Sequence, residues 1–418
     1  MGVSVTEHHC SDRLNDPTRL IKLWGNLARR SGNLLRRSIG VLTSNSIRIV
    51  RWDVDIRNTR SAEPVRAYNY AHPLKIDSFA ASASLFDDLL NTRAFRRLSA
   101  IRFLGGIDYV MVRSPNGARR NVRYTRLQHS LGVARLALQY TTRAGIGNGD
   151  ARLIFVAALL HDIGHAPLSH SLEPVFEEYF KLRHHTATEN IISGRVEIGQ
   201  ELYETLKSHG VDVERVLALI NGADTSFDGF FSGPINFDTI EGVSRSKLYG
   251  SHNPSILNPG SILDAAISRA DDTDRDIVDG FWTQKNEAYK YIINSRVGVL
   301  ADYACQYFMR MNLRRMSADD YYGTEETMFR KLPGLKQLLA SPTFEVEIGQ
   351  MLSGPITYTS RTFFVDAKYD FSSHMDRKRY RQARQSAVLE VRTGGAGVSD
   401  MTKDLFDDHC VRSGEGVL

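Results

Sequence analysis

The stretch FVAALLHDIGHAPLSHSLEP, residues 155–174, decides the reading of this chain. A mostly apolar run from Phe155 to Leu160 has the look of a buried helix, and it ends on His161 and Asp162, with His165 and His170 close behind. Gly164 and Pro167 stop the helix there and turn the chain. Neighbouring side chains on an ideal helix point about 100° apart, but at a helix end His161 and Asp162 can lean toward one ion.

Two ligands do not make a site, and the residues around this stretch supply the others. His129, in RLQHSLGVARLA, sits one helix, one turn and one antiparallel helix upstream. Asp238, in GPINFDTIEGVSR, offers a fourth donor. A His, His, Asp, Asp set mixes nitrogen with hard oxygen, which suits one divalent Mn, Fe, Mg, Co or catalytic Zn ion better than a thiolate-type structural zinc. An octahedral shell would keep positions open for water and a phosphate oxygen. His165, four residues after His161, and His185, in RHHTATEN, are candidates for proton transfer, and Glu173 could orient either. One histidine on an apolar helix is usually a satisfied core residue; it is the joint pattern that points to chemistry.

Around this centre, helical signals run from about Tyr68 to Ala340. SLFDDLLNTRAFRRLSAIRFLGG is expected as a helix stopped at Gly105–Gly106, and RLQHSLGVARLALQY as another. DARLIFVAALLHD is expected as a third, with Asp150 as its N-cap. AYKYIINSRVGVLADYACQYFMRM reads as one long helix or a broken pair, and NGADTSFDGFFSGPINFD as a loop. After Pro342, FEVEI and ITYTSRTFFVD alternate like strands, while DRKRYRQARQ is basic and helix-prone. The expected fold is therefore mainly α, a helical core with a small β-containing C-terminal part. The expected division is a basic arm over residues 1–60, a helical domain over 61–340 and a small α/β part with a flexible tail over 341–418.

The arm carries eleven Lys or Arg against four Asp between Asp12 and Arg60, with Leu20, Leu23, Trp24 and Leu27 at helical spacing. A solvated appendage or oligomer contact is favoured there over membrane or nucleic-acid binding. The net charge of +5 is mild and identifies no ligand. Cys10, Cys305 and Cys410 are too few and scattered for a disulfide framework, which suggests a reducing cytoplasm. No apolar run reaches the length of a spanning helix.

The motifs AFRRLSAIRFLGG, TRLQHSLGVARLA, LLHDIGHAPLSHSLE, the His185 segment and NFDTIEGVSRS, with a weaker FWTQKNEAYKYIINSRVGVLADY, occur in the order found in a known family. The chain resembles the HD-domain phosphohydrolases, and among them the deoxynucleoside triphosphate triphosphohydrolases. That resemblance implies a helical HD core with His129, His161, Asp162 and Asp238 on one catalytic metal ion. It also implies His165 and His185 at the reacting phosphate, Arg126 on a phosphate oxygen, and His170 beside the substrate. Members of the branch release a deoxynucleoside and triphosphate, and many are homo-oligomers regulated by nucleotides.

Departures from the pattern fall on the substrate. Where relatives carry a DKxDYxxRD-like run, this chain has Thr239, Gly242 and Ser246 in place of Lys, Tyr and the last Asp. Phe103 replaces a polar residue, Ile293 an aromatic one, and Asn294 is left as the base contact. A nucleotide phosphohydrolase acting on dNTPs is the leading expectation. A hydrolase of a nucleoside monophosphate or nucleotide second messenger, and a nucleotide-binding regulator without turnover, are the alternatives.

Overall fold

The computed structural model describes residues 38–43, 46–51, 80–110, 124–250, 257–352 and 354–391. The chain divides into two compact units, Met1–Ala80 and Ala81–Leu418. In the first, β1 (Ser38–Thr43) and β2 (Ser46–Arg51) pair antiparallel as a hairpin. The amphipathic segment around Leu20–Leu27, the histidines at 8–9 and the C-terminal tail lie outside the described residues.

The second unit is mainly α. It opens with α1 (Ala80–Asn91) and α2 (Arg93–Arg97), followed by α3 (Arg126–Arg143) and α4 (Asn148–Leu160). Next come α5 (Glu173–Phe180), α6 (His184–Ile192), α7 (Glu197–Ser208), α8 (Val213–Ile220) and α9 (Phe237–Gly250). After residue 256 come α10 (Pro259–Ser268), α11 (Asp272–Ala288), α12 (Arg296–Met311), α13 (Glu325–Lys331), α14 (Leu335–Leu339) and α15 (Phe344–Met351). The chain ends its described part in β3 (Gly354–Val365) and β4 (Tyr380–Val391), an antiparallel pair. Among the described residues no helix is long and apolar enough to cross a membrane.

The central helix is α4. Leu153 to Leu160 are all buried, so its apolar residues face neighbours on every side, as expected of a helix inside a helical layer. It packs on α3, whose first turn is fixed by a capping box: the Thr125 hydroxyl accepts from Gln128 N and the Gln128 side chain accepts from Thr125 N at 2.9 Å. That box sets Arg126 and His129 on one face, three residues apart.

Several sequence expectations change. The N-cap of α4 is Gly147, and Asp150 lies in the first turn, where it pairs with Arg215 at 2.8 Å. The helix expected to run to Gly105–Gly106 breaks at Thr92, whose side chain accepts from Phe95 N to start α2; Gly105–Asp108 is a separate 3-10 turn. The AYKYII to FMRM stretch is a broken pair, with a π turn at Tyr289–Ile293 and Ser295 capping α12. FEVEI is helical, not extended. Phe344 and Ile348, four apart, are buried while Val346 between them is 51% exposed, so the helical period overrode the alternation. DRKRYRQARQ is not helical: from Tyr380 it is paired along β3, and pairing outweighed local propensity.

Candidate metal centre and acid-base cluster

His129 is fully buried, and its Nδ1 donates to Glu241 at 2.5 Å. A carboxylate only accepts, so Nδ1 carries a proton and, in the neutral ring, Nε2 presents a lone pair. His161, which ends α4, donates Nδ1 to the Ala158 carbonyl at 2.9 Å, leaving its Nε2 in the same condition. The two Nε2 atoms face each other at 3.3 Å. Asp238, in the first turn of α9, brings Oδ1 to 3.0 Å from His129 Nε2 and 3.8 Å from His161 Nε2. Asp162 brings Oδ2 to 3.3 Å from His129 Nε2 and Oδ1 to 3.5 Å from His161 Nε2.

With both rings neutral, four acceptors converge on one point. Such a cluster favours a positive charge, a proton or a metal ion. Burial works against charge on His129, but Glu241, Asp238 and Asp162 outweigh it and push the ring up to about 9. His161 is also raised, burial being overcome by Asp162 and Asp238. Burial opposes ionisation of Asp162, but His161, His165 and Arg126 hold its carboxyl well below the usual range. The same nest that favours a proton would favour a divalent ion more, and the donor set of two imidazoles and two carboxylates fits one.

Glu241 holds the centre from behind. Arg245, one turn on, pairs with it and donates to the Gln128 carbonyl at 3.0 Å, tying α9 to the first turn of α3. Gly132 makes room for this: a Cβ there would lie 2.3 Å from Glu241 Oε1. A carboxylate behind a ligating imidazole fixes its tautomer and raises its basicity.

Arg126 is 4% exposed, and its guanidinium donates to Asp162 Oδ2 at 2.7 Å and to Ser169 Oγ at 2.9 Å. Ser169 in turn donates to the Arg102 carbonyl at 2.7 Å. Phe103 lies beneath, its ring 4.8 Å from His129 and 5.0 Å from the Arg126 guanidinium carbon. Gly242 borders the same space, since a Cβ there would meet His129, Phe103 and Asp238 at 3.6 to 3.7 Å.

After Asp162 the chain turns tightly. Gly164 touches the start of α6, where a Cβ would fall 2.2 Å from Thr188 N. Leu168 and Ser169 then take left-handed φ angles of 58° and 47°. The result is a second cluster. His165 Nε2 meets Asp162 Oδ1 at 3.1 Å, its ring stacks on His184 at 4.7 Å, and His170 stands edge-on at 4.7 Å. Glu173 Oε1 accepts from His184 Nδ1 at 2.6 Å and from His184 N at 2.9 Å, and Oε2 meets His170 Nδ1 at 2.9 Å. Burial, then Arg126, drives His165 well below the ordinary imidazole range, so it is neutral at pH 7. Burial opposes charge on Glu173, but hydrogen bonds from His170 and His184 hold it well below the carboxylate range.

His165, His170, Glu173, Arg126 and Phe103 are thus gathered with His129, His161, Asp162 and Asp238. His185 is exposed, 4.0 Å from the His184 ring; its neighbour His184 is the ring that stacks on His165. Thr239 is occupied locally: its N–H donates to Asn236 Oδ1 at 2.8 Å and its Oγ1 accepts from Asn236 N at 2.9 Å. Asn294 donates its amide to the Arg361 carbonyl on β3 at 2.9 Å. Sequence reasoning missed His184, Glu241 and Lys285. Glu241 carries the one available signal, its place three residues after Asp238 on the same helical face. Lys285 of α11 is 8% exposed; its ammonium lies 4.4 Å from Trp282 and 4.7 Å from Phe363, and reaches the Pro234 carbonyl at 3.5 Å. Thr239 Oγ1 also reaches that carbonyl, at 3.5 Å, so Lys285 stands beside the first turn of α9.

The family model described as HD domain matches residues 126–276. An uncharacterised protein of Bacillus subtilis, YwfO, is 36% identical over 167 residues, 39% of this chain and 36% of that protein. The deoxynucleoside triphosphate triphosphohydrolase SAMHD1 of chicken is 28% identical over 169 residues, 38% of this chain and 24% of that protein. Human SAMHD1 is 31% identical over 136 residues, 31% of this chain and 18% of that protein. In each case the match spans well under half the length of the relative.

Proposed function

Because the chain belongs to the HD-domain phosphohydrolase superfamily, we propose that it hydrolyses a nucleotide phosphoester with one divalent ion held by His129, His161, Asp162 and Asp238. The specific reaction proposed is dNTP to deoxynucleoside plus triphosphate. The observation that carries this reading is the convergence of the His129 and His161 Nε2 atoms with the Asp162 and Asp238 carboxylates, each carboxylate within 3.8 Å of both rings. The similar proteins named for dNTP hydrolysis support the substrate.

When bound, the ion would lower the pKa of a coordinated water and polarise the phosphoryl group. The chain's own groups do the rest. Arg126 already lies against Asp162, and its remaining N–H donors can meet the phosphate oxygens that gain charge. His165 is neutral and oriented by Asp162, able to take a proton. Glu173 accepts from His184 Nδ1, so the ring's Nε2 can take up a proton and, as the imidazolium, pass it to the departing oxygen. This reading puts His184 in the role the sequence offered to His185. Phe103 and Glu241 keep the His129 ring in place.

A second reading, a nucleoside monophosphate or second messenger as substrate, is favoured by Thr239, which is tied to Asn236 at the start of its own helix where the resemblance implies a lysine. The experiment is a panel of dNTPs, dNMPs and cyclic dinucleotides with Mn, Mg, Fe or Co, with products separated. Triphosphate as product supports the first reading; orthophosphate or a linear dinucleotide supports the second.

A further inference from the structure

The two outer edges of the C-terminal hairpin are finished differently. In an antiparallel ladder the N–H and C=O of one residue face the same side, and successive residues alternate. On β3, Phe363 N donates to Asn286 Oδ1 and the Arg361 carbonyl accepts from Asn294, each at 2.9 Å, so both residues turn their backbone groups away from β4. Pro355, in the same alternate series, has no N–H to leave unpaired there. The residues across from these on β4 face outward by the same rule. They are Gln382 opposite Phe363 and Arg384 opposite Arg361, followed at the period of two by Ser386 and Val388. Among the described residues, no N–H or C=O of these four has a hydrogen-bond partner. Glu390, next in the series, accepts from Arg296 at its carbonyl at 3.3 Å, which closes the edge at that end.

An open edge is a template for another strand, and folded chains blunt it with Pro, Lys, a bulge or a covering element. Residues 380–391 hold no Pro or Lys, and the register is unbroken from Val365 opposite Tyr380 to Gly354 opposite Val391. Arg381 to Ser386 are exposed without interruption, so neither face of the strand is covered there, and Val388 is 57% exposed. The four outward residues lie symmetrically about Gln385. We propose that this edge docks a second copy of the chain, the two β4 strands pairing antiparallel about Gln385 to join the hairpins into one sheet. Gln382 then faces Val388 and Arg384 faces Ser386, so every free edge group meets a free group of the partner copy. Ala383 faces Ala387, Arg381 faces Leu389 and Gln385 faces itself, amide to amide, with no like charges directly opposite. The neighbouring registers fail. A shift one way sets Arg384 against Arg384, and a shift the other way sets Gln382 against Glu390, whose carbonyl Arg296 already holds. Joining two such ribbons also remedies the marginal stability of a two-stranded sheet.

The test is sedimentation of the full chain over a wide range of concentration, followed by crosslinking. The wild type should associate reversibly, with a dimer as its first species. Ser386→Pro removes an outward N–H and none that serves β3, so it should weaken association about tenfold or more while circular dichroism stays that of the wild type. A crosslink reads the register without relying on the folding of that variant. In chains that also carry Cys10→Ser and Cys410→Ser, Gln385→Cys should give a disulfide-linked dimer under mild oxidation, because a facing, non-hydrogen-bonded pair lies about 4.5 Å apart between Cα atoms. Gln382→Cys should not, since its two copies would stand about 20 Å apart. A wild type that stays monomeric throughout, unchanged association of a folded Ser386→Pro chain, or equal crosslinking at positions 382 and 385 would each overturn the proposal.

Discussion

Around the turn after Leu160 the buried charges are held in pairs: Asp162 with Arg126, and Glu241 with Arg245 and the His129 ring. In the C-terminal hairpin, Arg361 stands directly opposite the exposed Arg384, and neither has an acid within ion-pair distance among the described residues. Matched charges are preorganised, so they can act on a reacting group without first rearranging. Like charges facing each other across a strand pair repel, so the hairpin pair is not preorganised in that way. The two regions therefore divide into one whose buried charges are paired and one whose charges are not.

The sharpest way to break this division is to unmatch the turn. Asp162→Asn should cut turnover by about a thousandfold or more and abolish retention of the ion, since it removes an anionic donor and leaves Arg126 uncompensated. Steady-state kinetics and metal analysis check this, and a variant that keeps its ion would count against it. His184→Ala should lower kcat about a hundredfold with metal content unchanged, and His185→Ala only a few fold. The reverse order would place the proton transfer on the exposed ring. Glu241→Gln should weaken ion affinity about ten- to a hundredfold, read by competition with a chelating dye.

The smallest effect concerns Glu325, which accepts from Arg102 N at 2.7 Å and from the Tyr109 hydroxyl, behind the strap that holds Ser169 and Arg126. Burial raises its carboxyl from 4.5 to about 7. A carboxyl raised in the folded state binds its proton more tightly there than in the unfolded chain. Its contribution to stability is full below about pH 4.5 and is lost as pH rises through about 7. Glu325→Gln should flatten the fall in denaturation midpoint across that window. An unchanged slope would show that another group carries it.

The His161–Asp162 pair and its partners were legible because helix ends and apolar runs are local signals. The choice between His184 and His185 was not. It depends on α6 starting at His184, where Glu173 accepts from both the backbone N–H and the ring, and that contact spans a turn the sequence does not draw. The hairpin was half legible. ITYTSRTFFVD carries the alternation of β3, but the basic run that becomes β4 takes its shape from its partner strand, and so the facing of Arg361 to Arg384 exists only after pairing. Lys285 was hidden for a related reason, since a lone lysine on a helix reads as solvated until Trp282 and Phe363 are seen to enclose it.

The central claim is that the four converging acceptors hold one divalent ion. Calorimetric titration of metal-free protein with Mn, run beside His161→Ala, tests it most directly. The account predicts one ion per chain with a raised thermal midpoint in the wild type, and loss of both in the variant. Equal binding by the two proteins, or none by the wild type, would contradict it.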